Sequence, residues 1–409
     1  MKDKTINLKE IFNSLSTALD FTYNGLSGHR KRVAYMAVSL ARKMGQDNCT
    51  ISKLYMASII HDIGAISMRE KELLGELELS DPYTHSDLGS QLADTINFLK
   101  PAGTIIKHHH DVWAGNNPSG LRGREIPLES RLINAVDRLD VLISPGECLL
   151  RQSSCVLGRL KEISGKIIDP EIYGELSGLA EKESFWLDLD SGYLHRALDG
   201  LLADVEISVG QEMLIDVSLL FSNVIDRKSS FTHRHSRLVA ASAGKLADIY
   251  GFGPGDCRKM VVAGLLHDLG KLSVPEDILE KPDKLTPEEF AVMKRHTYYT
   301  HRILEEISGF AEINSWASFH HERLDGCGYP FRLAGESIPL GSRILAAGDV
   351  FSALAEDRPY RRGMSRESIV EILKSMSGSA LDPRVVKTLL ENFDLFESLT
   401  RQEDPISVL

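Results

Sequence analysis

The ten residues Gly264–Ser273, "GLLHDLGKLS", have a close counterpart 206 positions earlier in Ser58–Ser67, "SIIHDIGAIS". In both, an apolar run ends on an adjacent His–Asp pair and a Gly follows. An apolar run closed by Gly reads as a helix and its stop. A chain that writes such a phrase twice calls for a search for a larger repeat.

The rest of the chain supplies one. "GHRKRVA" (Gly28–Ala34) resembles "RHSRLVA" (Arg234–Ala240), and "HSDLGSQLA" from His85 parallels "HTYYTHRIL" from His296. "HHDVWAGNNP" (His109–Pro118) parallels "HHERLDGCGYP" (His320–Pro330). "LRGREIPLESRLINAVD" from Leu121 answers "LAGESIPLGSRILAAGD" from Leu333, and "IDPEIYGEL" from Ile168 answers "LDPRVVKTL" from Leu381. The offset is 206 at His29/His235 and His61/His267, 211 at His85/His296 and His109/His320, and 212 at Asp137/Asp349. It only grows, in small steps, as inserted loop residues would make it grow. Two tandem copies of one fold are therefore expected.

Composition agrees with that size. A chain of 409 residues exceeds one ordinary domain, and two of about 200 residues are the natural division. An apolar content of 43% and a charged content of 26% describe a globular protein. No apolar run approaches the roughly 20 residues of a membrane helix, so no membrane insertion is expected. The opening "MKDKTINLKEIFN" is too polar for a signal peptide. The five cysteines form no CxxC pair, and their odd number argues against a disulfide framework, so a reducing cytoplasm is expected. A net charge of −11 speaks against binding of nucleic-acid polymers.

The fold reads as all-α. "RVAYMAVSLARKMG", "KLYMASIIHDIG" and "RLVAASAGKLADIYG" place apolar residues three and four apart and end on Gly. "LTPEEF" (Leu285–Phe290) is a helix start with Thr286 as cap and Glu289 three positions on. The helical pattern from Leu187 to Ser222 reads as the joint between domains, giving domains of residues 1–203 and 204–409.

His108, His195, His233 and His301 stand outside any cluster and read as packed or solvated side chains. The others group. His235, His267, Asp268, His296, His320, His321 and Asp349 make seven nitrogen and oxygen donors without a thiolate. That set suits iron, manganese, nickel or zinc and argues against a closed structural zinc site. Seven donors exceed one tetrahedral ion but serve two ions that share a bridging carboxylate. Neighbours on a helix diverge by about 100°, so Asp268 can span both ions beside His267. Two such ions clamp a phosphoryl group and activate water, which points to phosphoester hydrolysis.

The His–Asp pair with its flanking donors resembles the HD superfamily of metal-dependent phosphohydrolases. "HDLGK", "HHERLDGCGYP" and "RILAAGDVFSALAEDRPYRR" resemble, more narrowly, the HD-GYP family of cyclic di-GMP phosphodiesterases, over Asp226 to about Asn392. The resemblance implies helical bundles of the HD type and a metal-dependent phosphodiesterase. It implies two divalent ions in the catalytic domain, iron or manganese first, with nickel, cobalt, zinc or magnesium as alternatives. It places the metal ligands on the seven residues named. Asp268 becomes a catalytic residue, and Lys271 a second one that holds the phosphate or the attacking water. Gly328, Tyr329 and Pro330 become the loop shaping the substrate mouth, and Arg358 and Arg361 the cations on the substrate phosphates. Phe231 stands where some members carry a third-metal Glu, which favours a dinuclear centre. Ser352 departs from the family's Asp three positions after the last ligand.

The expected substrate is a cyclic dinucleotide, cyclic di-GMP first, cut to the linear form and onward to GMP. The alternatives are cyclic GMP-AMP, another nucleotide, or a sensor that binds without hydrolysing. The resemblance also implies contact of the Gly-Tyr-Pro loop with GGDEF-domain partners, and a homodimer is a further expectation.

In the first copy His29, His61, Asp62, His85, His109, His110 and Asp137 keep all seven ligand positions, a second candidate metal site. Its lysine is Ala65, its signature Asn116-Asn117-Pro118, and its arginine segment "SPGECLLRQ" from Ser144, with Arg151 nearby. Asp140 holds the place that Ser352 vacates. The first copy is thus expected to keep its metal ligands without the groups that handle substrate.

Overall fold

Apolar residues three and four apart become helices throughout residues 6–20, 28–65, 83–228, 234–356 and 362–408, the residues described by the computed structural model. Among them the only other regular elements are two-residue strands at Ile6–Asn7 and Ser208–Val209 and two isolated bridges, so the all-α reading holds. None of the described helices is long and apolar enough to cross a membrane.

The chain forms two compact units. The first is Leu19–Ser208, and the second is Met1–Ala18 with Val209–Leu409. The sequence placed the division near residue 203; the units part between Ser208 and Val209, and the first 18 residues group with the second unit. The stretch Leu187–Ser222 is not one helix. It is cut into Glu183–Asp190, Leu194–Leu201 and Gln211–Lys228, with Gly192 and Gly210 in the breaks.

Within the first unit the helix His29–Lys43 packs on Asn48–Ile60 and on Leu128–Val141. Tyr83–Asp94 packs on Lys100–Lys107, which packs on Asn48–Ile60. The second unit repeats that order. His235–Ile249 packs on Pro254–Leu266 and on Leu340–Ala355, and Arg295–Glu305 packs on Ala311–Ser318, which packs on Pro254–Leu266. Small residues permit the close approach. A Cβ on Gly264 would stand 2.5 Å from the Ala240 Cα, so the helices His235–Ile249 and Pro254–Leu266 meet backbone to backbone. Large apolar side chains fill the rest, among them Leu40, Leu54 and Ile133 in the first unit and Leu246, Leu265 and Leu345 in the second, all fully buried. Each such side chain contributes about 1.5–3 kcal/mol.

Smaller devices recur as well. Arg131 pairs with buried Asp169 at 2.5 Å, and Arg343 with buried Asp382 at 2.7 Å. Each Asp also caps the following helix, accepting from Glu171 N and Arg384 N respectively. Thr286 caps Pro287–Met293 as the sequence implied, with Glu289 returning the bond to the Thr286 N–H at 2.7 Å.

Candidate metal centre

In the second unit His267 ends the helix Pro254–Leu266, and Asp268 opens a short 3-10 turn. The expected divergence of neighbours around one helix is thus replaced by a change of backbone between them. Two contacts enforce it. His267 Nδ1 donates to the Gly264 carbonyl at 2.7 Å, and Gly270 lies under the helix Arg295–Glu305, where a Cβ would meet the His296 carbonyl at 1.9 Å. Gly64 stands in the same relation to the His85 carbonyl, at 2.0 Å. The Gly in the opening phrase is therefore needed for close approach as much as for stopping a helix.

A carbonyl can only accept, so each bond from His Nδ1 to a carbonyl fixes the tautomer. His296 Nδ1 donates to Met293 O at 2.8 Å and His320 Nδ1 to Ala317 O at 2.6 Å. With His267 this leaves three Nε2 lone pairs facing inward. Burial pushes His296 down to about 3 and His320 well below the usual imidazole range, so both are neutral ligands. Their Nε2 atoms are buried without a hydrogen-bond partner. Asp268 faces two ways, with Oδ1 3.6 Å from His296 Nε2 and Oδ2 3.1 Å from His267 Nε2. Asp349 Oδ1 lies 3.4 Å from His235 Nε2. The donors fall into groups of three: His296, His320 and His321; His235, His267 and Asp268; His267, His320 and Asp349. All seven residues named from the sequence meet in one place. Buried imidazoles with a spare lone pair and a carboxylate between two donor groups fit divalent cations.

Lys271 is on this centre. Its Nζ contacts Asp268 Oδ2 at 2.6 Å. Burial opposes the charge, but Asp268 outweighs it and keeps the lysine above its usual range. Asp268 stays well below the carboxylate range despite its burial, held there by His267 and Lys271.

The loop His320–Pro330 folds back on the His–His turn. A Cβ on Gly328 would stand 2.5 Å from Arg323 N and 2.6 Å from the Glu322 Cα, so no other residue fits. Buried Glu322 holds the far side, accepting from Phe331 N at 2.6 Å and Leu333 N at 3.0 Å. The Tyr329 ring, joined to Pro330 by a cis peptide, then lies 5.0 Å from the His321 ring and 6.4 Å from that of His296. Phe290, 44% exposed, continues the aromatic surface 6.0 Å beyond Tyr329.

One residue was missed by sequence reasoning. Ser352 turns away and donates to Gly348 O, and its vacated place behind His235 is filled by Glu356, whose carboxylate is 3.2 Å from Nδ1. Burial alone would lower His235, but Asp349 and Glu356 raise it to about 10. The available signal was an acid one helical turn after Ser352. Arg358, Arg361 and Phe231 lie outside the described residues.

The first unit assembles its seven residues in the same manner. His61 Nδ1 donates to Ser58 O at 2.8 Å and His109 Nδ1 to Ile106 O at 2.6 Å. Asp62 again faces two ways, with Oδ2 3.0 Å from His61 Nε2 and Oδ1 3.6 Å from His85 Nε2. Asp137 Oδ1 is 3.4 Å from His29 Nε2. Asp140 takes His29 Nδ1 at 2.7 Å and the Arg32 guanidinium at 2.6 and 2.9 Å. Ala65, in the lysine's place, is buried. The loop is one residue shorter, and buried Asn117 plugs it by bonding Val112 N, Val112 O and Leu121 O.

The HD domain family matches the chain twice, over residues 13–172 and 219–385. The chain is 31% identical to the 3'3'-cGAMP-specific phosphodiesterase 1 of Vibrio cholerae, covering 98% of this chain and 95% of that protein. It is 38% identical to the cyclic di-GMP phosphodiesterase response regulator RpfG of Xanthomonas campestris, over only 42% of this chain and 46% of that protein. A crystal structure of a cyclic GMP-AMP specific phosphodiesterase of V. cholerae superposes with a TM-score of 0.68 at 23% identity, covering 96% of this chain and 99% of the other. Two matching segments, two sets of the seven His and Asp residues and a Gly-Tyr-Pro loop over the second set leave one assignment: the chain belongs to the HD domain family, and within it to the HD-GYP phosphodiesterases.

Proposed function

We propose that the second unit hydrolyses a cyclic dinucleotide with the help of two divalent ions, and that 3'3'-cyclic GMP-AMP is the favoured substrate. The observation that carries the reaction is the donor cluster around Asp268 with Lys271 on the same carboxylate. The sequence alone put cyclic di-GMP first. The relatives named for cyclic di-GMP match less than half of this chain, whereas two named for 3'3'-cGAMP match 98% and 96% of it. That favours the alternative base composition.

His235, His267, Asp268, His296, His320, His321 and Asp349 would hold the ions. Bound there, divalent ions supply Lewis acidity and lower the pKa of bound water. The chain's own groups do the rest. Carbonyl and carboxylate partners hold the histidines in the ligating tautomer. Lys271 keeps its charge and offers it where negative charge grows on the phosphoryl oxygens. Tyr329 and Phe290 present aromatic surface at the rim for a purine, and Arg358 and Arg361 would grip the phosphates.

The test is turnover of 3'3'-cyclic GMP-AMP, cyclic di-GMP and cyclic di-AMP by the metal-loaded full chain, with products separated by chromatography. The reading expects linear product and the highest kcat/KM with the hybrid dinucleotide. Faster cleavage of cyclic di-GMP would overturn the base assignment, and binding without cleavage of any of them would make the protein a sensor.

A further inference from the structure

We propose that the first unit carries a dinuclear metal centre of its own, built to retain its ions rather than to turn over a substrate. This does not depend on which dinucleotide the second unit cleaves.

The geometry asks for cations. Two imidazole nitrogens each about 2.1 Å from one ion and at right angles to it stand about 3 Å apart. In the first unit His85 Nε2 and His110 Nε2 are 3.0 Å apart, and His29 Nε2 and His61 Nε2 are 3.3 Å apart. His61 Nδ1 donates to a carbonyl and His29 Nδ1 faces a carboxylate, so two lone pairs meet in the second contact unless a metal ion or a proton stands between them. His109 Nε2 is buried with no hydrogen-bond partner. A self-contained polar network would leave no such atom, because a buried lone pair without a partner destabilises the fold. Asp62, His85, His109 and His110 form one donor group, and His29, His61 and Asp137 a second.

The surroundings show what the centre is for. In the second unit the cation nearest the bridging Asp is Lys271, 25% exposed at the side chain. In the first unit Arg32 stands behind the ligands, gripping Asp140, which holds His29; buried Arg30 pairs with Asp20 at 3.1 Å, and the charge of buried Arg138 acts on His110. The positions matching Arg32 and Arg30 in the second unit are Leu238 and Ser236. Buried Ala65 offers no charge to a phosphoryl group, and Asn117 ties its loop to backbone instead of presenting a ring. Ligands braced from behind, with an alanine in the lysine's place and no aromatic ring over them among the described residues, describe a structural centre. Bound metal then stabilises the unit, since only the folded state assembles the ligands.

The test uses the full chain with His267→Ala/Asp268→Ala, which removes the second unit's ligands and leaves the first unit untouched. After reconstitution with Mn²⁺ and removal of free ion, elemental analysis should find about half of the wild-type metal per chain. Adding His85→Ala/His110→Ala should bring it to background. Chelation of the His267→Ala/Asp268→Ala protein should lower its first unfolding transition by roughly 5 °C or more. Metal content at background in that variant, or no shift on chelation, would mean that a proton rather than a metal bridges these nitrogens and would overturn the proposal. The chelation shift stands as evidence even where the quadruple variant does not fold.

Discussion

In the second unit Asp268, which faces two of the donor groups, carries Lys271 at 2.6 Å, and an aromatic ring lies over two of the histidines. In the first unit the lysine is a buried alanine, the ring an asparagine bonded to backbone, and positive charge comes instead from Arg32 behind Asp140 and from buried Arg138, which acts on His110. Ligand geometry is alike in the two; what differs is charge and access. On the two proposals made above, metal retention and catalysis are separable, and one chain carries both.

Variants can break or sharpen the contrast. The largest effect is expected from Asp268→Ala. It removes the carboxylate that faces both donor groups, so turnover should fall by roughly 10³-fold or more with helicity retained by circular dichroism. Next comes Lys271→Ala, which makes the second site resemble the first. Here kcat should drop by about 10²–10³-fold while metal content stays at the wild-type level, because an electrostatic group is lost and no ligand is. A matching loss of metal would show that the lysine holds the shell together rather than serving the reaction.

Glu356→Ala and Asp140→Ala compare the two supports behind the first histidine. Glu356→Ala should weaken metal retention in the second unit by about 10–100-fold, read by competition with a chelator. Asp140→Ala leaves Arg32 and His29 without their shared carboxylate and should cost the first unit about 3 kcal/mol, read by denaturant unfolding. The smallest effects should come from the rim. Arg358→Ala and Arg361→Ala each remove a charge-assisted bond of about 1.5–3 kcal/mol and should raise KM about tenfold or more with little change in kcat.

Much of this was legible in the residues. The slowly growing offsets pointed to two copies, and the seven donors of each came together in one unit. What escaped was set by tertiary contact. The His–Asp pair looked helical, but the close approach of Gly270 to the His296 carbonyl bends it into a turn. Glu356 sits unremarked inside the quoted segment, and its role emerges once Ser352 turns to Gly348 O and leaves the place behind His235. Arg32 reads as an ordinary surface cation on its helix until Asp140, 108 residues away, is brought to its guanidinium. The proposed base preference is not written in the motifs at all; it rests on relatives whose similarity runs along both units.

The central claim is that the second unit alone performs the chemistry. Its most direct test sets two folded variants of the full chain side by side at equal concentration with 3'3'-cyclic GMP-AMP and saturating Mn²⁺. His267→Ala/Asp268→Ala should show turnover at background, while His61→Ala/Asp62→Ala should keep most of its kcat despite a lower Tm. Loss of turnover in the His61→Ala/Asp62→Ala protein, with activity surviving in the other, would contradict the account.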